Sequence, residues 1–448
     1  MNDRDGDRMK IQSTTFALKT LTLALGLSAV TWTQAQANTE VDQLRDEVKA
    51  LRGLIEQYAQ QQATTSAQLQ QTQQKLAVIN QNAAAVQPAP SSATQVTSPK
   101  GLLSSIGTSI NIYGNVRADM SYQVEGGTDQ RLYNQISTVP LEGNQGHDRF
   151  KSTLAATRLG LDFKSNLANN EAIGGKLEVD FLGSGDSLRI RHAYLTYGDW
   201  LVGQTWSNFA TPEYMPESVD ALGYVGGSVK RTPQVQRRFN FNPSTQLVVA
   251  LEDPKDGSSE MRIPALTTRL NHKFSDQLNV SLRGMVNEKR TTEDELTAWG
   301  VGLGAKFALT PSTTIKADYY HVKGDSSFVA WSNPGFVADQ DKNIASGNEF
   351  DSISVGITQQ FNPKWRGTLG YGYMKADNNK NYLQASSDLT KLNKELWQAW
   401  GNAFYSPIQP LSFGVEYVYG ERQAFAKAVG GSDTGVDNRV SAVAIYNF

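Results

Sequence analysis

Arg189 and Arg191, two positions apart in the stretch RIRHAYL, carry the first chemical signal in this chain of 448 residues. Further cations fall at the same alternating spacing: Arg117, Arg158, Lys164, Lys176, Arg238, Arg269, Lys273, Arg283, Lys306, Lys316, Arg366, Arg422 and Arg439. A guanidinium is permanently charged and presents a planar fork that matches a carboxylate or phosphate through two parallel hydrogen bonds. The acids of the same phase, Asp119, Asp162, Glu178, Asp180, Glu252, Asp318 and Glu416, are about half as numerous. If this phase faces a wet interior, the interior is basic, and its low-dielectric walls focus the field and concentrate anions. For any single cation, pairing with an acid to brace the wall is as good a reading as contact with a solute.

Other chemistries find little support. His147, His192, His272 and His321 are scattered with no metal-ligand spacing, and the absence of cysteine excludes disulfides, thiolate metal sites and cysteine nucleophiles. Gly300, Gly302 and Gly304 alternate within a strand pattern, which is unlike a phosphate-binding loop ahead of a helix. No nucleophile stands out, so no enzyme activity is expected, and no cofactor or metal. A net charge of −2 gives no support to a nucleic-acid partner.

The elements that must hold these cations are strands. Ile110, Ile112, Val116, Ala118 and Met120 alternate with Asn111, Tyr113, Asn115, Arg117 and Asp119, and the same period of two returns at 177–181, 278–283, 299–307 and 411–419. Sixteen strands are expected, beginning near 109, 154, 175, 187, 200, 233, 245, 265, 277, 296, 313, 351, 365, 396, 411 and 438. Short connections such as Phe274-Ser275-Asp276 and Asn362-Pro363 alternate with long ones such as 123–151, 323–349 and 375–394, the layout of a transmembrane barrel. The last strand closes on Phe448 with Tyr446 two residues before it, an arrangement resembling the signal read by outer-membrane assembly machinery. The segment from Ser207 to Arg231, after the fifth strand, is the candidate for an inward constriction loop. Its Glu213, Glu217 and Asp220 would set a transverse field against the basic wall. His192 and Arg237 fall on the lipid-facing phase, which calls for a bulge or a subunit contact there.

Ahead of the strands, residues 1–37 read as a secretory signal: an apolar core from Thr20 to Thr31 precedes Ala35-Gln36-Ala37 as a cleavage site. A start at Met9 would give a cleaner positive flank. Over 38–86 a heptad places Val41, Val48, Ile55, Leu69 and Leu76 at a positions and Leu44, Leu51, Tyr58, Ile79 and Val86 at d positions, the pattern of a coiled coil that joins copies of the chain. Residues 87–106, rich in Pro and Ser at the start, read as a linker, and 107–448 as the barrel domain.

The stretches TRLGLDFK (157–164), GKLEVDF (175–181), RIRHAYL (189–195) and LVGQTWS (201–207), together with the heptad, resemble the DcaP-like porins of Gram-negative bacteria. That resemblance implies a homotrimeric sixteen-strand outer-membrane porin for small anions, particularly dicarboxylates. The combined expectation is an all-β protein, a sixteen-stranded antiparallel transmembrane barrel in outer-membrane lipid with a periplasmic N-terminal coiled-coil helix. Arg117, Arg158, Arg189, Arg191, Arg238, Arg269, Arg283, Arg366 and Arg439 are expected to line the pore. A sugar-selective porin is the nearest alternative, with Tyr113, Tyr320 and Trp400 as members of an aromatic track. A structural link between outer membrane and cell wall is the other.

Overall fold

The computed structural model describes residues 108–126, 132–142, 148–166 and 172–448. The leader, heptad segment and linker expected over 1–106 lie outside the described residues. Alternation of apolar and polar residues yields nineteen strands: β1 (Thr108–Glu125), β2 (Arg149–Thr153), β3 (Arg158–Asn166), β4 (Ala172–Asp180), β5 (Arg189–Tyr197), β6 (Trp200–Trp206), β7 (Arg231–Asn242), β8 (Thr245–Glu252), β9 (Ala265–Lys273) and β10 (Leu278–Arg290). They continue as β11 (Glu295–Thr310), β12 (Thr313–Lys323), β13 (Phe336–Ala338), β14 (Ile344–Gly347), β15 (Glu349–Asn362), β16 (Trp365–Ala376), β17 (Asn393–Ile408), β18 (Leu411–Ala424) and β19 (Thr434–Asn447).

β2 and β3 are two halves of one span, both pairing with β1 on either side of a break at Leu154–Thr157. β13 and β14 form a separate hairpin in a loop. The remainder is one antiparallel sheet of sixteen spans, and it closes because β1 pairs with β19 from Asn115 opposite Asn447 to Glu125 opposite Asn438. Closure is what a membrane demands, since an unpaired backbone amide or carbonyl in hydrocarbon costs several kcal/mol. All sixteen expected strands are present, with their starts displaced by a few residues.

The outer face carries the apolar phase. Ile112, Val116, Met120, Leu177, Leu195, Val202, Leu282, Leu303, Val355 and Val415 are all exposed on it. The long-loop rim of this surface carries an aromatic belt in which Tyr371 stacks on Trp397 and Trp397 meets Tyr419 at a tilt, as expected of a membrane interface. Arg237, from the same outward phase, lies over Trp200 and Phe239 at 5.2 and 4.9 Å.

His192 is the point where simple alternation fails. The β4–β5 ladder slips between Glu178 and Val179, leaving Arg191 as the extra residue. The bulge turns both Arg191 and His192 inward, and both are buried.

Candidate functional site: the lumen and its inward loop

Residues 207–230, after β6, fold into the barrel as expected, and three glycines of the wall make room for them. Gly304 leaves space for the Tyr214 ring, Gly356 for Pro216, and Gly372 for the Val225 carbonyl, where an added Cβ would sit 1.7 Å from the oxygen. Two glycines of β11 thus form a floor for the loop, Gly304 beneath Tyr214 and Gly300 beneath Phe209.

Buried carboxylates anchor the loop at its start and at its middle. Glu252 accepts from the Asn208 amide at 2.9 Å, from Thr232 at 2.9 Å and from Thr267 at 2.5 Å. Glu416 accepts from the amides of Val219 and Asp220 and from the Tyr224 hydroxyl at 2.9, 3.2 and 2.5 Å. These two luminal acids hold backbone, which neutral side chains of similar size do less strongly.

Many of the expected pore cations are engaged in the same task. Arg117 donates to the Val219 carbonyl at 2.6 Å while paired with Asp119. Lys316 donates to the Met215 carbonyl at 3.1 Å. Arg366 grips Glu217 with both arms of its fork at about 3.0 Å. Arg283, expected on the pore surface, is instead 1% exposed, held by Asp318, the Tyr320 hydroxyl and the Phe209 carbonyl. Arg439 is likewise sealed, ion-paired with Asp220 at 2.9 Å and donating to the Leu132 carbonyl at 3.0 Å. Asp220 therefore does not face the open lumen; Arg439 and the Asn134 amide enclose it. Burial pushes its carboxyl up from the usual range, against the pull of Arg439. The physical reason for these departures is that the loop covers the wall bearing β10–β19. Ile136, Val139, Phe209, Val225, Tyr320, Phe328, Phe350, Met374 and Leu396 pack there into an apolar plug inside the barrel. Tyr320 and Trp400, two members of the aromatic track expected for a sugar pathway, are buried in or beside it.

The opposite wall stays open. A cavity of about 330 Å³ is lined by Arg158, Lys176, Glu178, Arg191, His192, Tyr194, Thr205 and Trp206. A second, of about 370 Å³, shares Thr205 and Trp206 with it and reaches Glu213 and Arg269. A third, of about 460 Å³, shares Glu213 and extends to His272 and Lys273 beside the short turns. The shared residues make one continuous track along β3–β10.

Charge on this track is unevenly compensated. Arg189 binds Asp180 through two hydrogen bonds of 2.9 and 2.7 Å. Arg191 meets Glu178 at 2.6 Å and Asp180 at 2.9 Å. Tyr113 donates to Glu178 and accepts from Lys176, itself paired with Asp162 at 3.0 Å. Arg269 has Glu213 of the loop 3.7 Å away. Among the described residues, Arg158, Arg231, Arg238 and Lys306 have no ion-pair partner. The Arg158 Nε is buried without a hydrogen bond. Arg231 stacks on the Trp206 ring at 4.6 Å, close to Arg158, Arg189 and Arg191. Sequence reasoning placed Arg231 at the end of the loop, where no strand phase exists to count from, and so left it out of the wall. Its neighbour across the ladder, Trp206, was a usable signal, because a cation beside an indole is a favoured pair.

A second polar cluster sits at the long-loop rim. Lys289, fully buried, meets Asp256 and Asp325 at 2.5 Å each. Burial disfavours the Asp256 carboxylate, but Lys289 and Ser258 outweigh it and hold its carboxyl below the usual range. Asp325 in turn caps the segment at Ser327 and Phe328, which carries Phe328 into the apolar plug.

A family model described as DcaP outer membrane protein matches residues 29–448. The outer membrane channel DcaP of Acinetobacter baumannii is 36% identical, with a TM-score of 0.70 over 78% of this chain and 99% of that one. An anion-selective porin from Comamonas acidovorans shares the fold at 11% identity and a TM-score of 0.52, over 76% of this chain and 100% of that one. OmpF of Salmonella typhi does so at 15% and 0.51, over 77% and 99%. Among proteins of curated function, none matches this sequence.

Proposed function

The chain belongs to the DcaP outer membrane protein family, a porin of the Gram-negative outer membrane, and from that premise we propose that it is a trimeric diffusion channel for small anions, dicarboxylates among them. The observation that carries this reading is the uncompensated charge of the open track. Arg158 and Arg231 stand there without carboxylate partners, while the acids nearby are already held by Arg189 and Arg191. A guanidinium in a water-filled, low-dielectric passage attracts anions more strongly than the same group on an open surface. Solutes would move down their gradient past side chains that orient them without chemical change. A sugar track is less favoured, because Tyr320 and Trp400 are sealed from the passage.

The same proposal assigns residues 1–37 to export, 38–86 to trimer assembly from the periplasmic side, and Phe448 to recognition by the assembly machinery. The Phe448 backbone already closes the β1 edge, donating to the Gly114 carbonyl at 3.1 Å and accepting from its amide at 3.0 Å. The test is the reversal potential of the reconstituted protein across a salt gradient. An anion-over-cation preference that shrinks when Arg158 and Arg231 are both changed to Gln supports the assignment. A cation-preferring or unselective wild-type channel defeats it.

A further inference from the structure

Arg237 carries its charge on the lipid-facing side of the barrel. It belongs to the outward phase of β7 and is exposed. Its register is regular on both sides, opposite Trp200 of β6 and Val249 of β8, so no bulge turns it inward as one turns His192. The guanidinium carbon lies 5.2 Å from the centre of the Trp200 ring and 4.9 Å from that of Phe239. Among the described residues Arg237 has no ion-pair partner. Asp199, in the adjacent β5–β6 turn, gives its carbonyl to the Arg238 amide at 3.0 Å and forms no pair with Arg237. Outward cations at the long-loop rim differ in this respect. Lys323 meets Glu349 at 2.8 Å and Lys375 meets Glu395 at 3.4 Å. Arg237 stands instead beside a short turn, and Tyr197 and Trp200, which precede it in the same outward row, are both exposed.

A guanidinium facing lipid is costly to leave alone, and the cost falls toward the interface, where a long side chain reaches an anion of the headgroup layer. We propose that Arg237 is a lipid site, holding the phosphate of a glycerophospholipid in the periplasmic leaflet. The phosphodiester docks on the planar fork, which matches two of its oxygens. Trp200 and Phe239 flank the cation, as aromatics of a membrane interface do, and keep the fork at headgroup depth. Val202, Val235 and Leu251, exposed on the same phase two residues further from the turn, offer an apolar bed to the acyl chains. A carboxylate from a second copy of the chain is the competing partner, and symmetry disfavours it. Subunits related by an axis along the membrane normal present the same residues at the same depth. The outward carboxylates of the described strands, among them Glu288, Glu349, Asp351 and Glu395, lie at the long-loop rim, the opposite end of the barrel from the β5–β6 turn. A lipid phosphate is the anion available at the depth of Arg237.

The site lies on the outer face and does not depend on what passes through the lumen. The full-length protein is purified in mild detergent and titrated, in native mass spectrometry, with palmitoyl-oleoyl phosphatidylglycerol and with the matching diacylglycerol, which lacks the phosphate. The wild type is expected to retain the phospholipid in preference to the diacylglycerol. Arg237→Gln should weaken that retention about tenfold, which corresponds to about 1.4 kcal/mol. Its reversal potential should stay at the wild-type value, because the residue is outside the passage, and that result also shows an intact barrel. If Arg237→Gln inserts poorly, Arg237→Lys keeps the charge and loses the fork, and should still retain less phospholipid than the wild type. Equal retention of the two lipids by the wild type, or wild-type retention in both Arg237 variants, overturns the site. An equal loss in Lys375→Gln reduces the effect to general surface charge and overturns it as well. Unchanged lipid retention with loss of the oligomer in Arg237→Gln assigns the residue to a subunit contact instead.

Discussion

Arg283 and Arg158 are both inward arginines of barrel strands, and their surroundings give them opposite tasks. Arg283 is sealed with Asp318 beneath the inward loop, so its charge is fully compensated. Removing one member of such a pair leaves the other charge buried and alone, at a cost of about 3–5 kcal/mol. Arg283→Met should therefore lower the thermal unfolding midpoint markedly while leaving the anion preference close to wild type, read by heat-dependent gel migration and by reversal potential. A large loss of anion preference in correctly inserted Arg283→Met would contradict its placement outside the passage. Sequence periodicity put both residues on the inner face. It could not tell them apart, because burial beneath a loop is a property of the loop.

At the scale of elements, the inward loop is a strand-connecting segment held by wall residues rather than by its own fold. Residues 207–230 contain only one short helical turn, Pro212–Tyr214, and depend on Glu252 at their start, on Glu416 at their middle and on glycines at their back. Gly372→Val places a side chain where the Val225 carbonyl lies, and a β-strand has no alternative path for it. The loop should then shift toward the open side or detach, with altered single-channel conductance and noisier open current, whereas Gly257→Val, in open space on an outer loop, should leave both unchanged. Equal conductance for wild type and Gly372→Val would show that the wall does not set the position of the loop. The alternation of Gly300, Gly302 and Gly304 was visible in the sequence, and its meaning was not. Gly300 and Gly304 answer to the Phe209 and Tyr214 rings of the loop, and Gly302 to the Arg283 guanidinium.

For the whole molecule, the two halves of the barrel interior differ. The wall of β10–β19 supports an apolar plug, and that of β3–β10 carries the continuous track. The pore and the N-terminal heptad are separate parts of the chain, so their losses should separate as well. Deleting residues 41–86 should weaken trimer assembly in cross-linking while leaving the conductance and selectivity of inserted channels near wild type. Loss of selectivity in that deletion would show that the heptad segment shapes the pathway.

Period-two alternation fixes strand number and inner face because side chains of a strand alternate by covalent geometry, whatever the strand packs against. For that reason all sixteen spans and the lipid-facing phase were legible in the residues. The β5 bulge that turns His192 inward was signalled only as an anomaly, since one extra residue reverses the phase without changing composition. Which cations meet solute was decided by tertiary structure alone. An ion pair forms between residues on neighbouring strands and loops, and a cation is free only where no carboxylate has been brought to it. Arg283 and Arg439 found partners across more than thirty and two hundred residues of chain, respectively, while Arg158, with carboxylates close by, was left open.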